Sequence, residues 1–359
     1  MLSFKYIRIR LLLLFIFSIL FSCTPKTVET NTRTYRMGFQ SSAPRYDFNT
    51  LIQCLNMWTQ RADAAIISSE VPWDSLYAGV SPVDYVTNNY TGLVNYYRNK
   101  QLKLWIYMDP ANGMNRAANS DKLIAIGKSI TQMDAQLKYE RFLFVMDSML
   151  QPEHIGFAIE TNAIRALAPD SIYLAIKKVA NVCATQISNY DKKVIMGISI
   201  RADFAWGKLT NSNYIGIDQD FTDFPFIQEL GISSYPYFCF NNPQDIPTDY
   251  YSRLTIGRNI PCFVSEGGWS SRNVTNTYNT NTQKQSDYIQ QQNVLLNNIH
   301  ANAVFQLTFT DIDMTNMPSG TPANLSLFSY IGLIDSALQP KPALATWDNL
   351  FALKYTGNK

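Results

Sequence analysis

Eight short apolar runs bounded by turn residues recur along the 359-residue chain: YRMGFQ (35–40), AAIISS (64–69), LKLWIYM (102–108), IGFAIE (155–160), VIMGIS (194–199), LGISSY (230–235), PCFVSE (261–266) and AVFQLTF (303–309). Each has the length and β-branched or aromatic content of a buried strand. Between them lie helical patterns, including SDKLIAIGKSITQMDAQ (120–136), ERFLFVMDSML (140–150), DSIYLAIKKVANVCATQISNY (170–190) and QKQSDYIQQQNVLLNNIH (283–300). In the third, Ile172, Ala175, Ile176, Val179, Ala180 and Cys183 form one apolar stripe, with Asp170 expected as N-cap after Pro169. Alternation of strand and helix, uninterrupted by a Pro/Gly/Ser-rich linker, predicts an α/β fold of the parallel (β/α)8 TIM-barrel kind, one domain over 35–356. The 46% of hydrophobic residues is ample for its core.

The N-terminus stands outside that pattern. Lys5, Arg8 and Arg10 precede the run LLLLFIFSILF, which has the charge and length of a secretory signal and is short for spanning a bilayer. The run ends in LFSC (20–23), which resembles a bacterial lipobox, with the bulky Phe21 as a departure. On that reading residues 1–22 are removed, Cys23 carries a lipid, and 23–34 form a polar tether. A plain signal peptide or an uncleaved anchor helix is the alternative. The expected location is the bacterial cell envelope, periplasmic or outer-membrane, held to the membrane through the lipid.

Loss of 1–22 removes three of the 30 Lys and Arg and none of the 28 Asp and Glu, leaving the chain balanced to within one charge. With no basic face or run, nucleic acid is not an expected partner. Cys54, Cys183, Cys239 and Cys262 show no metal or redox spacing and read as small buried hydrophobes, although export permits a bridge such as Cys239 to Cys262.

In a barrel of this kind the carboxyl ends of the strands converge on one face, where the following loops build the site. Strand four ends on Glu160 and strand seven on Glu266. A carboxylate ending an apolar strand must be solvated, paired or used, because burying a lone charge is very costly. Two carboxylates facing each other across a cleft are the groups that cut a glycosidic bond, one protonating the leaving oxygen while the other attacks or activates water. The alternative is that each caps a loop or pairs with a base such as Arg201.

Here a family resemblance enters. QPEHIGFAIETN (151–162) is similar to the strand-four region of the endo-β-1,4-galactanases and their relatives among the clan A glycoside hydrolases. GISSYPYF (231–238), FVSEGGWS (263–270) and YIGLIDSALQPKPALATWDNL (330–350) resemble the strand-six, strand-seven and closing segments of that clan. The resemblance implies a retaining enzyme on β-linked polysaccharide or oligosaccharide, with Glu160 as acid/base, Glu266 as nucleophile and Tyr235 bonded to Glu266. One position departs. The clan places Asn before the acid/base Glu, where this chain has Ile159, while Asn162 lies two residues after Glu160 and is the candidate to replace that sugar contact.

Glycan clefts use flat aromatic platforms, and Trp73, Trp206 and Trp269 each follow a strand end, whereas Trp105 lies inside strand three and reads as core. Asp109, Arg201, Asp203 and Glu70 are candidates for sugar hydroxyls. Loop packing for the tryptophans, core filling for Tyr235, and helix caps or turns for the polar residues remain open alternatives. Asp311 and Asp313 lack the further spacing of a calcium loop, so neither metal nor cofactor is expected. His154 and His300 are the only histidines, which argues against a Ser/His/Asp triad or a histidine metal cluster. A monomer is expected. Two rival readings stand: a glycan-binding lipoprotein on the same barrel without turnover, and a barrel enzyme using Glu266 to abstract a proton.

Overall fold

The structure is a computed structural model and describes residues 32–40, 42–275 and 277–357. The expected signal segment 1–22 and Cys23 lie outside the described residues. Thr32 and Arg33, at the end of the expected tether, pair in parallel with Lys354 and Tyr355, and the Arg33 guanidinium meets Asp63 at 2.7 Å.

Eight parallel strands close into a barrel: β1 (Arg36–Gln40), β2 (Ala64–Glu70), β3 (Lys103–Asp109), β4 (His154–Gly156), β5 (Ile195–Arg201), β6 (Glu229–Ser234), β7 (Cys262–Gly267) and β8 (Ala303–Gln306). Closure is made by β1 against β8, in register from Arg36 with Ala303 to Phe39 with Gln306. All eight expected strands are present. β4 is the short one: its ladder stops at Gly156, so Glu160 lies beyond the strand rather than at its last rung.

The surrounding helices include α1 (Phe48–Trp58), α2 (Gly92–Asn99), α3 (Met133–Leu150), α4 (Thr161–Leu167), α5 (Asp170–Tyr190), α6 (Thr282–Asn298) and α7 (Pro342–Phe351). The stripe read on α5 is buried throughout, but Pro169 takes the N-cap position and Asp170 opens the first turn instead. The helix expected over 120–136 is broken. It ends as a short Asp121–Ala125 turn because Gly127 takes φ +67°, and a new helix, α3, starts at Met133. From β6 to β7 the chain crosses on 3-10 turns alone, where Pro236 and Pro243 open turns and Pro247 follows.

Strand alternation sorts the core into two layers. Residues such as Ile67, Ile106, Ile155, Ile198, Ile232 and Val264 pack outward under the helices, while Ala64, Ile66, Trp105, Tyr107, Phe263, Ala303 and Phe305 fill the interior, capped by Ile159. Tyr107 occupies space that two glycines leave open. A Cβ on Gly156 would lie 2.1 Å from its ring, and one on Gly197 would lie 2.5 Å from its hydroxyl. Gly156→Ala therefore overpacks the interior and is expected to destabilise the fold by about 1–3 kcal/mol, read as a lower melting temperature. An unchanged melt would show that Tyr107 is not held there.

Candidate active site

The strand register assembles the site. Glu70 on β2 is level with Asp109 on β3, and Arg201, Ser233 and Glu266 stand in one row across β5, β6 and β7. That row depends on a register shift: Ile232 pairs with Val264, but the next residue, Ser233, pairs with Glu266, leaving Ser265 as an extra residue in β7. Such a bulge re-aims the side chain that follows it. Strict alternation from the interior Phe263 would have turned Ser265 inward and Glu266 out.

Glu160 reaches the same place by another device. Its backbone adopts φ 53°, ψ 47°, the left-handed region that a non-glycine residue occupies at a cost of about 1–3 kcal/mol. Ser199 Oγ accepts from its N–H at 3.1 Å, and its carbonyl accepts from Ala163 and Ile164 as α4 begins. The side chain is 4% exposed and fully engaged: Oε1 accepts from Ser233 Oγ at 2.5 Å and Oε2 from Arg116 Nε at 2.9 Å, with Arg201 Nη1 at 4.0 Å.

Ser233 Oγ also lies 3.1 Å from Glu266 Oε1. One hydroxyl thus spans both carboxyl groups and keeps them within reach of each other. The two groups sit in different fields. For Glu160, burial alone would raise the pKa, but Arg201, Arg116 and the Ser233 hydrogen bond outweigh it and hold the carboxyl below the usual range. For Glu266, burial and then repulsion from Glu160 push the pKa up to about 7, with Arg116 and Ser233 offsetting part of the rise.

The pair opens into a cavity of about 520 Å³ whose wall includes Glu70, Asp109, Arg116, Ile159, Arg201, Tyr235, Phe238, Tyr278 and Phe328. Arg116, on the loop after β3, is buried and bridges Glu160 to the Asp109 carboxylate. Asp109 is therefore in the wall but committed to Arg116, with its other oxygen accepting from Ala111 N at 3.0 Å. Glu70 accepts from Gly113 N at 2.7 Å and Ser120 Oγ at 3.1 Å, and burial raises its pKa. Tyr235 lines the cavity, its pKa lifted well above the phenol range by burial and then by Glu266 and Glu160, but the hydroxyl that reaches Glu266 is that of Ser233.

Several residues expected in the cleft are elsewhere. Trp73 is buried against Tyr139, Trp269 against Tyr288 and Tyr237, and Trp206 stacks on Tyr250 while its Nε1 donates to the Tyr250 carbonyl at 2.9 Å. None of the three lines the cavity; large apolar rings gain more by packing under the loops than by standing at their rim. Asn162 is buried with its amide spent on Arg201, accepting from N at 2.8 Å and donating to O at 3.0 Å, so it does not stand in at the sugar for the asparagine that Ile159 replaces. Asp203 is buried outside the cavity wall and accepts from Arg201 Nε at 2.9 Å. Asp311 is bonded to Lys341 at 2.7 Å, and Asp313 caps a 3-10 turn by accepting from Thr315 N at 3.2 Å. Residues that sequence reading missed are Arg116, Ser233, Phe238, Tyr278 and Phe328. Of these, Ser233 carried a usable signal, the strand-end position shared with Glu266.

A larger hollow of about 940 Å³ lies at the opposite mouth. There His154 stacks on Trp105 at 3.8 Å, and its Nδ1 is 2.8 Å from Glu229, which also accepts from Trp105 Nε1 and Asn302. In such barrels that face serves stability rather than chemistry.

No protein-family model matches the sequence, and no curated protein is similar to it in sequence. By structure the chain is similar to (β/α)8 glycoside hydrolases. An exo-β-1,4-mannosidase from Opitutaceae bacterium strain TAV5 aligns with TM-score 0.63 and 10% identity over 89% of this chain, which spans 59% of that protein. A β-glucosidase from Exiguobacterium marinum gives 0.63 at 10% identity, over 89% of this chain and 98% of that one. Xylanase 10B from Thermotoga maritima gives 0.59 at 10% identity, over 89% and 95%. At such identity the likeness shows the barrel fold.

Ser233→Ala removes the one hydroxyl shared by the two carboxyl groups. Because that hydrogen bond favours the ionised form, its loss is expected to move the Glu266 titration above about 7. Carboxyl titration followed by carbon NMR of the two proteins checks it; coincident curves would show that Ser233 does not couple the pair.

Proposed function

We propose that this protein hydrolyses a β-linked polysaccharide or oligosaccharide with retention, through Glu160 and Glu266. The observation carrying this reading is Ser233 Oγ, 2.5 Å from one carboxyl group and 3.1 Å from the other at the floor of a mouth-side cavity. Between the lowered pKa of Glu160 and the raised pKa of Glu266 the pair holds a single proton, which rests on Glu266. Passing that proton through the Ser233 hydroxyl to Glu160 makes Glu160 the acid and frees the Glu266 carboxylate. Glu266 then attacks the anomeric carbon as Glu160 protonates the leaving oxygen. Glu160 next takes a proton from water, whose oxygen displaces Glu266 from the sugar and restores the configuration.

A second reading, a glycan-binding protein without turnover, is favoured by one feature: Arg116 holds Glu160 as an ion pair beside the apolar Ile159. A panel of mannan, xylan, β-glucan and galactan, incubated with wild type, Glu160→Gln and Glu266→Gln, separates the two. Sugar release by wild type alone is expected, each variant losing at least about 100-fold, with the newborn reducing end in the starting anomeric form. Activity should fall as pH rises through about 7, where the pair loses its proton. Binding without release by all three proteins would replace the hydrolase with the binder.

We further propose, from the basic and apolar leader ending at Cys23, that this is a lipid-anchored protein of the bacterial cell envelope. Cys23→Ser is expected to shift it from the detergent-extracted membrane fraction to the soluble one; an unchanged distribution would remove the lipid anchor.

A further inference from the structure

The hollow at the amino-terminal mouth takes no part in the chemistry proposed above, yet it is larger than the cavity around the carboxyl pair and it is charged. Its lining carries Arg36, Lys103, Lys192 and Lys193 against Glu153 and Asp191. Both carboxylates are already engaged: Glu153 accepts from Arg98 Nη1 at 2.7 Å and from Leu104 N at 2.8 Å, and Asp191 accepts from Lys193 N at 2.7 Å just after α5. Of the cations, Lys103 lies 3.7 Å from Glu153, while Arg36, Lys192 and Lys193 have no ion-pair partner among the described residues. Arg36 rests on the Tyr355 ring at 4.8 Å and Lys192 Nζ donates to the Ser188 carbonyl, contacts that leave both charges uncancelled. The hollow therefore holds an excess of positive charge, exposed to solvent at Lys192 and Lys193.

Two further observations say what answers that charge. Tyr190, in the same lining, is 57% exposed, and a phenol ring beside lysines suits the boundary between water and a bilayer, where the ring meets the headgroup layer and the cations meet phosphates. The same mouth is also where the chain enters the barrel: Thr32 and Arg33 pair with Lys354 and Tyr355, and Tyr355 belongs to the lining. Cys23 lies nine residues before Thr32, at most about 30 Å of fully extended chain. A lipid on Cys23 thus brings this mouth within reach of the membrane surface, which selects the occupant among the anions that such a cluster could hold.

We infer that the amino-terminal mouth is a docking face for anionic phospholipid, with Arg36, Lys103, Lys192 and Lys193 meeting headgroup phosphates and Tyr190 lying at headgroup level. The mouth that bears Glu160 and Glu266 then faces away from the bilayer. The inference rests on the proposed lipid anchor for how the face is brought to the membrane, and not for whether it binds anionic lipid.

The test uses the full chain carrying Cys23→Ser, so that the lipid itself is not what is read. Co-sedimentation is measured with vesicles of phosphatidylcholine alone and of phosphatidylcholine mixed with phosphatidylglycerol. The leader is common to every protein compared, so the quantity read is the gain in binding on adding the anionic lipid. That gain is expected to be at least about tenfold at low salt and to vanish at high salt. Adding Lys192→Gln/Lys193→Gln should abolish it, whereas Lys122→Gln/Lys208→Gln, which removes two exposed lysines from loops at the other mouth, should leave it in place. All four lysines are exposed, so the melting temperature should not move. Equal binding to the two vesicles, a gain that survives Lys192→Gln/Lys193→Gln, or one that the control pair abolishes as well would overturn the inference. Release by inorganic phosphate at an ionic strength where chloride releases nothing would overturn it too, making a free anion the occupant. A wild type found in the soluble fraction together with an intact anionic gain would remove the lipid anchor and keep the docking face; a membrane-held wild type with no gain would do the reverse.

Discussion

Closing eight parallel strands into a ring removes both sheet edges, so every strand takes its register from two neighbours, and a one-residue slip would turn its whole side-chain set to the other face. The row Arg201, Ser233, Glu266 exists because β7 makes one such slip locally, at Ser265, and no further. Below the bulge Phe263 faces the interior and Val264 the helices; above it Glu266 faces the cavity. A carboxylate turned among the helices would have met apolar side chains and no cation. Ser233 can contact both acids because this bulge turns Glu266 to it from the adjacent β7 and the left-handed turn at Glu160 brings that side chain to it from the segment after β4.

Charge balance then decides how the two acids differ. Glu160, Asp109 and Asp203 are all buried, and two guanidinium groups are shared among them, Arg116 between Asp109 and Glu160 and Arg201 beside Asp203 and Glu160. Glu266 has no ion pair within 4 Å among the described residues; its polar contact is the hydroxyl already bound to Glu160. The carboxyl with the lowered pKa is thus Glu160 and the one with the raised pKa is Glu266, the reverse of the order expected from the roles the family resemblance assigns. The same clustering makes the region sensitive to truncation, because removing either guanidinium would leave a buried carboxylate without compensation.

The barrel and its two glutamates were legible because both are written locally, as short apolar runs with a charge at the end. What governed the rest was not local. The phase of Glu266 depends on a bulge that no spacing in FVSEGG reveals. Arg116 sits in DPANGMNRAANS, a stretch whose Asn, Gly and Pro content reads only as a turn, and its partners are fixed by the fold. The tryptophans were placed correctly along the chain, after strand ends, and wrongly in depth, since position in a loop does not say whether a ring goes down or out. Asn162 failed for a related reason: the left-handed residue before α4 aims Glu160 into the cavity and leaves Asn162 to bind the Arg201 backbone. The break at Gly127 was hidden because apolar spacing runs on through it.

Tyr107 adds a constraint of another kind. Its ring and hydroxyl fill the volume vacated by Gly156 on β4 and Gly197 on β5, on the side of the barrel where β4 is only three residues long. No one of the three can change size alone without leaving either a void or a collision. Across evolutionary descent 156 and 107 should drift in concert, so that any lineage with a side chain at 156 carries a slighter residue at 107, whereas 197 stays closed by the Glu229 carbonyl, 2.3 Å from where a Cβ would stand.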